Sequence, residues 1–99
     1  MLYAIIGDDV PESLAIRRRV RAVHLKRVEQ LRDEGRLIIA GPNPALDAAD
    51  PGPAGFTGSL IVAEFDSLEA ARRWAEEDPY STEGVFRSVT VKPFRQVLP

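Results

Sequence analysis

From Leu14 to Glu34 the chain holds no glycine or proline, and its apolar positions recur at helical spacing. At about 100° per residue, Val20, His24, Val28 and Leu31 fall on one stripe, with Arg17 and Arg21 on its N-terminal half. The spacing predicts a helix with Ser13 as its N-cap and Gly35 as the stop just beyond it. Before it, Leu2 to Gly7 is a short apolar run closed by Gly7-Asp8-Asp9 and Pro11, which reads as a strand and a turn. After it, Arg36 to Gly41 reads as a second strand ended by Pro42.

The segment 42–57 carries four prolines and two glycines and predicts a flexible connecting loop. Gly58 to Phe65 is the strongest strand pattern in the chain. Asp66-Ser67 then caps a second helix, with Leu68, Ala71, Trp74 and Ala75 on one face and Pro79 as its terminator. Val85 to Lys92 reads as a last strand stopped by Pro93, and 94–99 as a tail.

Two strand-helix-strand units in tandem make a single α+β domain over 1–99, with a ferredoxin-like βαββαβ order and a four-stranded antiparallel sheet. Ile38 and Ile39, and Leu60 through Ala63, are apolar at successive positions, so both sheet faces read as buried. Two helices cover one face. The expectation is a homodimer in which a second copy packs sheet against sheet.

Composition narrows the functional classes. The absence of cysteine removes disulfides and thiolate catalysis together, and one histidine with no cysteine leaves no expected metal site. The first residues lack the basic segment of a signal peptide, and no apolar run approaches the ~20 residues of a membrane span. A cytoplasmic protein with no membrane contact is therefore expected. Net charge is −2, and residues 1–36 hold eight of the thirteen Lys and Arg. The Arg17-Arg18-Arg19-Val20-Arg21 run is followed by Glu29, Asp33 and Glu34 on the same helix without interleaved aromatics, which favours a solvated, salt-bridged face over a nucleic-acid footprint.

His24 is the only histidine, and it lies in the middle of a stripe that should face inward. One turn beyond Ala75, the second helix's stripe reaches Asp78, an acid that needs a partner if it is buried. Since both helices share one side of the sheet, a His24 and Asp78 pair across them is expected, the carboxylate fixing the ring's tautomer for general-base work. Arg21, and more loosely Arg17, offer forked cations to a carboxylate or phenolate, while Ser59 offers a hydroxyl and Tyr80 a phenol. Ser59 lacks the sharp glycine-flanked turn of a nucleophile elbow. The competing readings are a histidine buried for structure, an Asp78 that only ends its helix, and a Trp74 that only fills core.

Arg21-Ala22-Val23-His24-Leu25, Ala40-Gly41-Pro42, Gly58 to Val62, Phe65 to Ala71, Asp78-Pro79-Tyr80 and Lys92-Pro93-Phe94 together resemble the YciI-like, or YCII-related domain, family, in its order and over nearly the whole chain. The resemblance implies a dimeric α/β-barrel with an active site at His24 and Asp78. It also implies kinship with muconolactone isomerases and with a dehydrochlorinase of a chlorinated hydroxyquinol. The function expected is a small cofactor-independent enzyme moving a proton on a small anionic or phenolic molecule, as an isomerase or a lyase. The alternative is a non-catalytic dimeric ligand-binding or accessory module.

Overall fold

The computed structural model describes residues 1–99. Its elements are β1 (Leu2–Asp9), α1 (Leu14–Asp33), β2 (Leu37–Pro44), β3 (Phe56–Glu64), α2 (Leu68–Glu77), α3 (Pro79–Thr82) and β4 (Phe86–Phe94), with a 3-10 turn at Gly52–Ala54. The four strands form one antiparallel sheet in the order β2-β3-β1-β4. This is the ferredoxin-like arrangement that the two strand-helix-strand units predict.

Alternation along the strands decides which residues meet the helices. Tyr3 and Ile5 of β1, and Ile61 and Ala63 of β3 with Phe65 beyond it, pack against Val28 and Leu31 of α1 and Ala71 and Ala75 of α2. Trp74 packs at the margin of this core, its ring 5.9 Å from that of Phe65. A second, smaller cluster of Val20, Tyr80 and Val85 closes the other end of the helical layer. The histidine lies on α1 between these two clusters.

Four local expectations are corrected. Pro42 does not end β2, which runs to Pro44, and Pro93 lies inside β4. Both are edge strands, whose outer sides need no N–H donor, so proline is tolerated there. The 42–57 loop accordingly shrinks to 45–55, with Phe56 and Thr57 joining β3 and an Ala45 N–H bond to the Gly55 carbonyl closing its ends at 2.9 Å. Ser13 occupies the N-cap position of α1 but does not cap it, because its hydroxyl is turned to the Asp9 carboxylate. Pro79 ends α2, but it also begins α3, as proline at a first helical position does.

Gly58 shows how closely β1 and β3 approach, since a Cβ there would lie 2.3 Å from the Gly7 carbonyl oxygen. The opposite face of the sheet has no helix over it. Ile6, Ile39, Leu60 and Phe94 are 36–58% exposed on that side, and the tail residue Leu98 joins Val62 and Phe94 in a shallow groove.

Truncation should separate core from tail. Leu31, 2% exposed, contacts both the sheet and helix layers, and Leu31→Ala should lower unfolding free energy by about 2–5 kcal/mol. Leu98→Ala should change it by less than about 0.5 kcal/mol in the same denaturant titration.

Candidate active site

The site begins where α2 must stop. Pro79 disfavours helical geometry at the residue before it, and Asp78 accordingly takes an extended conformation, φ −67° and ψ 141°. That turn carries the Asp78 side chain back over the start of α3, where Oδ2 accepts the Tyr80 backbone N–H at 2.9 Å. The readings of Asp78 as a helix-ending residue and as a partner for His24 therefore hold together. Oδ2 also accepts from His24 Nδ1 at 2.7 Å, and Oδ1 accepts from Arg27 Nη1 at 2.9 Å.

This buried carboxylate thus collects three donors from two helices, α1 and α3. Since it is an acceptor on both oxygens, the hydrogen on the shared His24 contact sits on Nδ1, so that in the neutral ring the free lone pair is on Nε2. The imidazole is nearly withdrawn from solvent, its side chain 12% exposed. It lies flat on the Tyr80 ring, with centroids 3.8 Å apart and planes 5° apart. Stacking and the Nδ1 bond together hold the ring in one orientation.

Tyr80 is clasped on other sides by Phe86 at 5.7 Å and by the Arg17 guanidinium at 4.9 Å from its ring centre. Burial pushes its phenol above the ordinary value, while the nearby Arg17 and Arg21 charges act against that rise. Arg17 is anchored by the buried Asp9 carboxylate through Nε at 2.7 Å and Nη2 at 3.0 Å, and Nη2 also donates to the Gly58 carbonyl and Ser59 Oγ, each at 2.9 Å. Such a forked, fully bonded pair is fixed in place, since removing either member strands a buried charge.

His24, Arg17, Arg21, Ser59 and Tyr80 line one cavity of about 170 Å³, completed by Leu25 and Val28 of α1, Ala40, Gly41 and Pro42 of β2, and Ile61 of β3. Asp78 stands behind the histidine, buried. All six residues singled out in the sequence therefore converge, with roles divided. Ser59 bonds to Arg17 and makes no bond to His24, so it has no base beside it and is no poised nucleophile. Arg17 is buried rather than part of a solvated run, whereas Arg21 is exposed and makes no ion pair, leaving its charge for a ligand. No three His, Cys, Asp or Glu side chains converge on one point, and the cationic lining suits an anionic or electron-rich oxygen.

Two residues that hold the candidate site together escape the sequence reading. Arg27 is three residues after His24, on the same side of α1, and that spacing alone brings it to the acid His24 uses. Asp9 continues the inward alternation of Tyr3, Ile5 and Gly7, a period-two signal hidden by its reading as a turn residue.

Fold and site together define a ferredoxin-like protomer with a histidine-aspartate pair, its acid buried, opening on a small cationic cavity. The YCII-related domain model matches residues 1–95, and the chain belongs to that family. Protein YciI of Escherichia coli O6:H1 is 57% identical over 98 residues, covering 99% of this chain and all of that protein. A Haemophilus influenzae protein is 50% identical over the same share of both chains. Among solved structures, the 5-chloro-2-hydroxyhydroquinone dehydrochlorinase TftG of Burkholderia phenoliruptrix AC1100, in complex with 2,5-dihydroxybenzoquinone, superposes with a TM-score of 0.83 at 27% identity, covering 96% of this chain and 94% of that one.

The Tyr80 environment is open to direct measurement. With its folded value raised, the phenol contributes stability that is fully present below about pH 10 and is lost as pH climbs through the folded value. Phenolate absorbance near 295 nm should show a component ionising late in an alkaline titration, absent from Tyr80→Phe, and that variant should lose less stability above about pH 10.

Proposed function

We propose that this protein is a small enzyme that uses His24 as a general base on a small anionic or phenolic substrate, needing no cofactor. The observation that carries the reading is the His24 Nδ1 to Asp78 Oδ2 contact of 2.7 Å beside a cationic cavity, which is the arrangement a neutral imidazole needs to accept a proton at Nε2. A cavity of about 170 Å³ is below the ~300–1,000 Å³ of sites for drug-sized ligands, which points to a single-ring or smaller substrate.

The chemistry follows from these tools. Nε2 removes a proton from carbon beside a carbonyl, and the bonding pair moves onto the carbonyl oxygen. Arg21, otherwise unpaired, meets the oxyanion, with the Tyr80 phenol beside it, protonated at neutral pH. When the oxyanion collapses, either the proton returns at another carbon, giving isomerisation, or an anionic leaving group departs, giving net loss of HX. Asp78 holds its opposite charge against the ring while the proton resides there. The likeness to TftG supports the elimination branch and a ring bearing several oxygens.

The open apolar sheet face supports a homodimer, because Ile6, Ile39, Leu60 and Phe94 would otherwise face water together. No helix is long and apolar enough to cross a membrane. The cytoplasm is the compartment that fits the reading, and the arginine run of α1, without interleaved aromatics and with Arg17 turned inward onto Asp9, gives no reason to add a nucleic-acid partner.

Two measurements test this reading. Chloride release from 5-chloro-2-hydroxyhydroquinone should fall by a factor of order 10² in His24→Ala and in Asp78→Asn, with the dissociation constant for 2,5-dihydroxybenzoquinone changed only a few-fold. Binding without turnover in the wild type, weakened in both variants, would instead identify a ligand-binding module. For assembly, sedimentation should give twice the chain mass of 10.9 kDa, with Leu60→Glu shifting the population to monomer.

A further inference from the structure

We infer that Arg27 is a positioning residue for His24, acting through Asp78: it neutralises the carboxylate's charge and turns it, so that the histidine is held as a base instead of being trapped as an imidazolium. The inference rests on His24 being the working base, as proposed above.

The geometry is specific. Arg27 Nη1 donates both to Asp78 Oδ1 at 2.9 Å and to the Trp74 carbonyl at 3.0 Å, and its guanidinium lies 4.3 Å over the Trp74 ring. Three contacts therefore fix the head group of a side chain that reaches from α1 to the last turn of α2. Arg27 holds Oδ1 on its own side, and Tyr80 N–H fixes the direction of Oδ2, the oxygen turned to the ring.

Charge gives the arrangement its purpose. A carboxylate alone beside an imidazole stabilises the protonated ring, and a ring that already carries its proton cannot take one from substrate. The ion pair with Arg27 opposes that attraction while leaving the hydrogen bond in place. Other groups facing His24 do not substitute for it. From α1 come Arg17, already paired with Asp9, and Arg21, toward the cavity; α3 contributes the Tyr80 phenol; β2 and β3 present only Ala40, Gly41, Pro42, Ser59 and Ile61. Arg27 is thus the cation bound to the carboxylate on which the ring depends.

Because His24 is the only histidine, its ring protons and nitrogens give one unambiguous signal set in NMR, and the test needs no substrate. In wild type the neutral ring should show Nδ1–H and a bare Nε2. Arg27→Gln keeps an N–H donor but removes the charge, and should move the His24 titration midpoint up by about one pH unit. Arg27→Lys restores the charge and should bring the midpoint back toward wild type. An unchanged midpoint in Arg27→Gln overturns the inference, as does an equal rise in both variants, or the failure of both to fold, which would make Arg27 a strut and nothing more. Since turnover is not read, a protein that proves to be a binding module would fail the chloride assay while leaving this result to stand separately.

Discussion

A carboxylate withdrawn from water has to be surrounded by donors, and the helical layer of this protein is arranged around that requirement at Asp78. An unpartnered buried charge would cost several kcal/mol, a large part of what a domain of this size has as net stability. The chain meets the demand with a ring nitrogen and a guanidinium from α1 and a backbone N–H from the first turn of α3. The same three bonds tie α1, α2 and α3 to one another at the point where the apolar core thins out. Packing by itself would leave His24 with several rotamers; the acid behind it and the Tyr80 ring beneath it leave one.

A second buried ion pair, Arg17 with Asp9, does comparable work at the other side of the cavity. It ties the end of β1 to α1 and, through Gly58 and Ser59, to β3. Between the two pairs lies the cavity, with Tyr80 in contact with both. Electrostatics in this protein is organised as two neutralised anchors with one loose cation, Arg21, between them. The anchors use their charge to fix geometry, and the cavity is left lined by a single unpaired positive group and a phenol.

The long helix, the strongest strand and the capped second helix were legible because their periodicity is imposed by burial on one side, and burial repeats along the element. The His24 and Asp78 pair could be read for the same reason, each by following its own stripe. Strand ends were misread at Pro42 and Pro93 because the rule that proline stops a strand depends on whether the strand is internal, and strand order is a property of the whole sheet. Ser13 has the residue type of a cap, yet a nearby buried carboxylate competes for its hydroxyl, which no local pattern announces. Arg27 was missed because a cation on a long flexible side chain has no preferred face until something buried calls for it.

The prolines that interrupt the outer strands have a further effect on how molecules of this kind can meet. Pro42 and Pro44 on one rim and Pro93 on the other remove amide hydrogens from the rungs where a neighbouring chain would have to continue the ladder. Growth by sideways strand addition, the route to fibrils, is discouraged at each rim. Contact between sheets is left to the flat apolar side, and two such sides, once pressed together, present no further surface of their kind: the architecture favours association that terminates over association that propagates.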